Sequence, residues 1–393
     1  MKLTRRLMRC PSQFKIKILN RYFNDCHPIF EKILFNLNLS STPKKNYDYS
    51  DVTEENIDKI YQVRDIVNYT KENRKTIFKP FTDCRFISNE IMWNILTKHT
   101  VVEDIYSSYK TNNIKLRLYN NYQSDDYKKN CFSQKIEIAI KMTKIFTMLE
   151  LLNIKNRTID IYYAPVNIPK TLPIDNHFGI DEINSGGTIH DYSKSFIVLF
   201  RQEESDKVLI HELIHYLRLD FSTTEVYYKN AFLISKSVIE DFNVNHDYSK
   251  INLFEGLTDS LGIIFNSIFN CILTKSNIDD YFYTEYCYCL TVAEKIIKHA
   301  GFKDINDLMD KHNNVVLHQS TSVLSYYILK CSLLSNADLI LTEYFPKFNT
   351  EWNLRDIDNF YGLAKKDLLL IKKIISNPNI KNSLRMTYND LKY

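Results

Sequence analysis

The segment His211-Glu212-Leu213-Ile214-His215 constrains this chain more than any other feature of its 393 residues. Its spacing of four places both imidazoles on one face of a helix, about one turn apart. Two imidazoles so placed can bind one tetrahedral zinc ion, and the glutamate after the first can serve as general base toward water that the metal activates. Apolar neighbours predict that the rest of this helix is buried, so three ionisable groups there need a chemical reason; these neighbours are Val208, Leu209, Ile210, Leu213, Ile214 and Leu217.

The five-residue pattern does not establish a metal site without a third ligand. With 10 His and at most 47 carboxylates to fill the Glu position, at most about three chains in a hundred of this composition would carry the pattern by chance. The metzincin pattern requires Gly and then His further along the helix, but those positions hold Arg218 and Phe221, so that subclass is excluded. Asp220 stays open as a carboxylate ligand, provided that the helix ends sharply before it.

A better third ligand lies in the segment INLFEGLTDSLGIIF, residues 251–265. Glu255 and Asp259 stand four residues apart on a second predicted amphipathic helix, downstream of His215. Glu255 would complete a His-His-Glu site for one zinc ion per chain, with one coordination position left open. Asp259, one turn further on, can accept the outer imidazole proton of a ligand histidine and so fix its tautomer.

Over residues 157–275 these paired motifs resemble the gluzincin clan of metallopeptidases, in which HExxH on one helix is followed by Glu-x-x-x-Asp on the next. The resemblance implies a zinc-dependent peptidase with His211, His215 and Glu255 as ligands and Glu212 as general base, acting on a peptide or protein substrate. The segment INSGGT, followed later by RQEESDKVLIHELIH, is also similar to segments of metallopeptidases inferred in large DNA viruses, especially those of insects.

The gluzincin resemblance also implies a cleft and an oxyanion donor. The strand SFIVLF, residues 195–200, is then expected to be the edge strand that borders the cleft and pairs with an extended peptide. Gluzincins take a Tyr or His oxyanion donor from the helical half beyond the glutamate helix. The candidates here are His318, Tyr326 and Tyr327.

The apolar pattern predicts an α+β fold that is predominantly helical, with a small edge-stranded sheet packed on the HExxH helix and a helical C-terminal half. Strands are expected at 158–163 and 195–200, and Gly186-Gly187 indicates a hairpin or bulged edge between them. Helices are expected at 54–68, 134–152, 205–219, 251–273, 280–300, 319–335 and 356–376.

The length favours either one large catalytic domain with an N-terminal extension or two domains. We place an N-terminal, mainly helical region without an assigned role at 1–130 and a zincin-like catalytic domain at 131–393. Residues 37–56, rich in Ser, Thr, Pro and Asp, are predicted to form a loop after an N-terminal helical hairpin.

Charge and cysteine usage limit the partners and the compartment. The net charge of +4 is spread along the chain and gives little support for binding nucleic acid. No signal-peptide apolar core follows the basic start, and the longest apolar stretch, Leu261 to Leu273, is broken by polar residues, so no membrane span is expected. Eight cysteines without a Cys-x-x-Cys pair indicate reduced thiols, and an intracellular, cytoplasmic protein is expected.

Two other functions compete with the peptidase. One is a non-enzymatic viral or structural protein in which zinc ties two helices together or is absent. The other is a zinc hydrolase that acts on a different amide or ester. Glu212 favours an enzyme, because a pure binding module needs no general base, and a strand beside the cleft favours peptides.

Overall fold

The structure is a computed structural model. It describes residues 17–36, 62–68, 74–99, 101–120, 127–190, 194–220, 225–245, 251–345, 353–373 and 383–388. Helices dominate these residues and surround one mixed sheet, which confirms the predicted α+β, predominantly helical class. The predicted loop at 37–56 lies outside the described residues.

Six of the eight described strands form one sheet, in the order β1-β2-β3-β4-β7-β6. The strands are β1 (Gln62–Asn68), β2 (Val101–Tyr109), β3 (Asn112–Asn120), β4 (Thr158–Val166), β5 (His177–Phe178), β6 (Gly186–His190), β7 (Ser195–Arg201) and β8 (His318–Gln319). The β3–β4 and β4–β7 pairs are parallel, and the other pairs in this sheet are antiparallel. Strands β5 and β8 pair separately.

The helices are α1 (Lys17–Asn36), α2 (Arg74–Thr82), α3 (Asn89–Lys98), α4 (Tyr127–Leu151), α5 (Ile180–Ile183), α6 (Ser205–Tyr216), α7 (Glu225–Asp241), α8 (Phe254–Thr274), α9 (Ile278–His299), α10 (Ile305–Met309), α11 (Lys330–Ser335), α12 (Ala337–Leu339) and α13 (Leu354–Lys366). Two π-helical segments, Leu324–Leu329 and Ile340–Tyr344, and a 3₁₀ segment, Leu368–Lys373, complete the helical half.

Helices cover both faces of the sheet. Along β7, Ile197 and Leu199 point to the large core that contains α4, α6 and α8, whereas Val198 and Phe200 point to a smaller core under α2 and α3. This alternation follows the two-residue period of a strand. Both faces of β7 are therefore buried, and α6 packs directly on β6 and β7.

The strand that forms the sheet edge beside α6 is β6, not the predicted SFIVLF strand. Among the described residues, SFIVLF forms most of β7 and lies between β4 and β6. A continuous apolar run suits a strand buried on both faces, which explains why it lies one place in from the edge. The Gly186-Gly187 segment was correctly predicted to form a hairpin edge.

The central core helix is α8. Among the described helices it is the one that is long and apolar enough to cross a membrane, but 94% of its apolar window is buried inside the protein, so no membrane span is implied. A mainly apolar helix is expected at the centre of a large core, and most of the few polar residues of α8, among them Asp259, lie inside it.

Most of the predicted helices are present as α4, α6, α8, α9 and α13. The prediction of a helix at 54–68 is wrong for residues 62–68, which form β1 and pair with β2; residues 54–61 lie outside the described part. The helix predicted at 319–335 begins later, at Leu324, because β8 pairs with β5. The predicted domain boundary at 130/131 lies inside α4, and strands from both sides of it share one sheet.

Residues 383–388 run beside the start of α6. The Glu204 carboxylate accepts hydrogen bonds from the backbone N–H groups of Met386 and Thr387. The Glu285 carboxylate accepts from the Thr387 hydroxyl at 2.9 Å and the Tyr388 backbone N–H at 2.8 Å. Two buried carboxylates, Glu204 at the start of α6 and Glu285 on α9, therefore fix this segment against both helices.

Candidate metal centre

Helix α6 carries the two motif histidines through the middle of the core. His211 and Glu212 are each 6% exposed. Helix α8 crosses α6 closely at Gly262, where an added Cβ would lie 3.5 Å from the Cβ of His211. Seven residues before this crossing, α8 presents Glu255 beside the two histidines.

Three ligand atoms from these helices meet at one point. The Nε2 atoms of His211 and His215 are 3.1 Å apart, and Oε2 of Glu255 lies 3.4 Å from the first and 3.3 Å from the second. A tetrahedral zinc ion with bonds of about 2.0–2.1 Å separates its ligand atoms by about 3.3 Å, so the group has the dimensions of a zinc site. The other Glu255 oxygen accepts a hydrogen bond from Asn252 at 3.3 Å.

The outer nitrogen of each histidine faces a carboxylate. Nδ1 of His211 lies 3.2 Å from Oδ1 of Asp259, and Nδ1 of His215 lies 3.0 Å from Oδ2 of Asp220. The hydrogen bond to Asp220 assigns a proton to Nδ1 of His215, and Asp259 lies close enough to His211 to favour the same tautomer, so that both Nε2 atoms can present lone pairs. Two lone pairs and a carboxylate oxygen at such short distances repel one another unless a cation lies between them. The residues present therefore fit a metal ion.

The end of α6 explains how Asp220 reaches His215. Arg218 adopts the left-handed conformation with φ of 56°, and Leu219 N–H bonds to the Ile214 carbonyl while Arg218 N–H bonds to that of His215. This Schellman motif ends the helix and turns the chain back along it. Asp220 consequently lies on the outer side of His215, away from the three converging ligand atoms.

Glu212 lies beside this group in a buried position. The Thr188 hydroxyl on β6 is 2.9 Å from Oε2 of Glu212 and 2.8 Å from its backbone carbonyl, and its single proton serves one acceptor at a time. Burial raises the pKa of the Glu212 carboxyl to about 7, while the charge of His215 and the Thr188 hydrogen bond oppose the rise. A carboxyl with a pKa near neutrality can both take up and release a proton.

Of the three oxyanion candidates, the structure brings Tyr326 to the histidines. Its ring lies 5.9 Å from that of His211, centroid to centroid, and its hydroxyl bonds to Glu255. Burial, followed by the charges of Glu255 and Glu212, raises its pKa well above the ordinary value, so it remains a proton donor. Tyr327 instead donates to the Leu384 carbonyl at 2.7 Å, and His318 is exposed in β8.

Two buried lysines contact Asp259 and were not predicted. Lys207 contacts Oδ1 of Asp259, and Lys330 lies 2.8 Å from Oδ2; each lysine is 1% exposed. Lys207 stands four residues before His211 on the same helix face, and this spacing is visible in the sequence. Lys330 follows the π-helical segment and has no comparable sequence signal.

A second buried ion cluster holds the start of α6. The Asp206 carboxylate contacts Lys141 and Lys144 of α4, and Lys144 also donates to Asn266 and Asn270 of α8 at 3.2 and 3.0 Å. Burial works against the charged carboxylate, but the two ammonium groups outweigh it and hold the pKa of Asp206 below its usual range. The three helices around the site are therefore joined by charge as well as by apolar packing.

Fold and site together define an α+β protein with a partly buried His-His-Glu group that can hold a metal ion. The chain is 27% identical over 224 residues to an uncharacterized protein of Acanthamoeba polyphaga mimivirus. The match covers 53% of this chain and 54% of the relative, so it spans about half of each. No protein-family model and no solved structure matches the chain.

Proposed function

We propose that the chain is a zinc-dependent metallopeptidase. The observation that carries the proposal is the convergence of His211, His215 and Glu255 within 3.4 Å of one another, with the Glu212 carboxyl beside them. Nitrogen and carboxylate ligands at these separations favour zinc, and a site with three protein ligands leaves a position for a substrate or water. A zinc ion held there would lower the pKa of water and polarise a substrate carbonyl.

In this proposal the chain's own groups move the proton and balance the charge. Glu212 accepts a proton from water and passes it to the leaving amine, a double role that its pKa near neutrality suits. Tyr326 donates to the oxygen that becomes negative. The contact of Tyr326 with Glu255 and His211 supports this role for it over His318 and Tyr327.

Strand β6 supports peptides as the substrate class. It is the sheet edge next to α6 among the described residues, and its Thr188 bonds to Glu212. An extended peptide can add to such an edge through backbone hydrogen bonds, which brings a peptide carbonyl to the metal. Structural zinc sites are closed by four protein ligands and need no adjacent base, so the three-ligand group with Glu212 favours catalysis.

We infer that the protein is viral and acts inside the host cell. The relative in a mimivirus supports a viral origin. The six cysteines in the described part of the chain are free and buried, as in a protein kept in a reducing compartment; they are Cys26, Cys84, Cys271, Cys287, Cys289 and Cys331.

The proposal is tested by metal content and hydrolysis. Wild type is expected to hold one zinc per chain and to cleave members of a mixed peptide library. Glu255→Gln should weaken zinc binding, and Glu212→Gln should retain zinc but lose cleavage. Folded wild type that binds no zinc would overturn the metal site, and bound zinc with cleavage only of non-peptide amides or esters would favour that other class of hydrolase.

A further inference from the structure

Two helical segments meet beside the metal centre with matching spacing. On α8, Glu255 and Asp259 are four residues apart. On the second segment, Tyr326 lies in the π-helical turn Leu324–Leu329, and Lys330 begins α11 four residues later. The Tyr326 hydroxyl bonds to Glu255, and the Lys330 ammonium lies 2.8 Å from Oδ2 of Asp259. Because the two spacings are equal, the contact at one end helps to fix the contact at the other.

The two segments approach most closely at Gly256, the residue after Glu255. A Cβ added to Gly256 would lie 3.1 Å from the Ser325 carbonyl oxygen and 3.3 Å from Cδ1 of Leu333. Ser325 directly precedes Tyr326, so the backbone of α8 packs against the π-helical turn beside the proposed oxyanion donor. Such turns are frequent at functional sites, where they change the direction of a side chain.

Lys330 is held in one buried position. It is 1% exposed, which is rare for a lysine. Its ammonium contacts Asp259 and lies 5.3 Å from the centroid of the Tyr327 ring. Tyr327 is fixed in turn, because its hydroxyl donates to the Leu384 carbonyl at 2.7 Å. The start of α11 is therefore anchored to α8 by a charged contact that has little freedom to move.

The charge of Asp259 does not by itself explain Lys330. Lys207 of α6 contacts Oδ1 of the same carboxylate, so an ion pair would remain without the second lysine. Burying a further ammonium group costs free energy of desolvation. A role in positioning gives a reason for this second lysine, and the variant without it keeps a paired carboxylate.

We propose that Lys330 is a positioning residue of the active centre, which anchors the π-helical turn to α8 and so keeps the Tyr326 hydroxyl at the metal centre. The inference rests on the proposed peptidase function and adds to it a residue that does not touch the substrate. Asp259 is the anchor point on α8, a role separate from its position beside His211. Because Lys330 acts through Tyr326, its removal should slow turnover only while the tyrosine hydroxyl is present.

The first test is a double-mutant cycle on kcat. Tyr326→Phe removes the donor, and we expect kcat to fall by about 100-fold. Lys330→Met removes the ammonium and displaces the donor, so kcat should fall by about tenfold while KM changes by less than about twofold. In the Tyr326→Phe background, Lys330→Met should lower kcat by less than about twofold. The same loss in both backgrounds, or no loss in either, would overturn the proposal.

Lys330→Gln is the second variant for this cycle. It keeps a hydrogen-bond donor at the buried position but is too short to reach Asp259 as the lysine does. It therefore serves where the methionine variant does not fold, and the same loss of effect in the Tyr326→Phe background is expected of it.

A second buried aspartate with two lysines provides the matched control. Asp206 contacts Lys141 and Lys144, which are 1% and 0% exposed. Lys144→Met removes one of these lysines and leaves the other paired, so its melting temperature should fall to a similar extent as that of Lys330→Met. Its effect on kcat should be the same factor with and without the Tyr326 hydroxyl. An effect that also vanishes in the Tyr326→Phe background would assign the result to general loosening and overturn the specific role of Lys330.

The second test needs no catalysis. In a crystal structure of Lys330→Met, the Tyr326 hydroxyl should lie beyond hydrogen-bond distance of Glu255, more than about 3.5 Å away, while α6 and α8 keep their positions. An unchanged contact between Tyr326 and Glu255 would overturn the positioning role. If zinc-loaded wild type cleaves no peptide, the peptidase proposal fails, and this structure then decides the role of Lys330 independently.

Discussion

The carboxylate of Asp220 lies 3.0 Å from Nδ1 of His215, five residues earlier in the chain, and holds the outer side of that imidazole. Oδ1 of Asp259 lies 3.2 Å from Nδ1 of His211, but that nitrogen makes no hydrogen bond within the described residues. Each histidine thus has a carboxylate beside its outer nitrogen, and the hydrogen bond from His215 to Asp220 fixes the tautomer of that ring and directs its Nε2 lone pair toward the other ligand atoms.

Asp220→Asn should weaken zinc binding. The amide cannot accept the Nδ1 proton with the strength of a carboxylate, so His215 becomes a poorer ligand. We expect the zinc dissociation constant to rise by about 10- to 100-fold, measured by competition with a chelator. Asp358→Asn, at an exposed position on α13, is the matched control and should bind zinc like wild type. Equal affinities for both variants would contradict the role of Asp220.

Thr188→Val should shift the pH dependence of hydrolysis. The Thr188 hydroxyl donates to Glu212 and lowers its pKa, so the isosteric valine raises that pKa further. The acid limb of kcat/KM against pH should then move to higher pH, with a loss of about tenfold at pH 6. Thr188→Ser retains the hydroxyl and should keep the wild-type profile. An unshifted acid limb of the kcat/KM profile in Thr188→Val would show that Thr188 does not influence the pKa of Glu212.

Gly186→Ala should destabilise the protein and disturb the base. A Cβ at Gly186 would lie 2.8 Å from Cγ1 of Val208, 3.0 Å from the Val198 carbonyl and 3.2 Å from Cγ of Glu212. The Val198 backbone on one side and helix α6 on the other cannot both move away from the added Cβ. We therefore expect a loss of about 1–3 kcal/mol in the free energy of unfolding.

The same substitution at Gly362 is the control for Gly186→Ala. Gly362 lies in α13 with no atom within 4 Å of an added Cβ. Alanine there should stabilise the protein by about 0.5–1 kcal/mol. Chemical denaturation of both variants measures the contrast, and similar changes at the two sites would refute the close packing of β6 on α6.

Chelator-treated protein should show a pH-dependent stability that originates in Glu212. Burial raises the pKa of this carboxyl from 4.5 to about 7, so the folded state favours the protonated form. Its stabilising contribution is complete below pH 4.5 and is lost as the pH rises through about 7. Relative to Glu212→Gln, wild type should lose up to about 3 kcal/mol across this window. Parallel stability curves for the two proteins would contradict this assignment.

The parts of the site that the sequence could predict are those set by local spacing. His211 and His215, and likewise Glu255 and Asp259, are four residues apart on helices, so their common faces follow from helix geometry. The spacing also predicts that Lys207, four residues before His211, lies on the same helix face.

The unpredicted parts depend on contacts between distant segments. Residues 62–68 carry apolar residues at a spacing that also fits a helix, and their pairing with β2 decides for a strand. The pairing of Lys330 with Asp259 spans 71 residues, and that of Lys144 with Asp206 spans 62. Such pairs leave no periodic pattern in the sequence, and charged residues are ordinarily expected at the surface.

The fixed position of residues 383–388 has a consequence for the order in which the protein can fold. Glu204, at the entrance to the histidine helix, is bonded to the backbone N–H of residues 182 and 183 positions later. During synthesis, almost the whole described chain is made before the backbone N–H groups that bind this carboxylate are present. Contacts of such long range are slow to form. We therefore expect the start of α6 to become fixed late, after the sheet and the helices around it have formed.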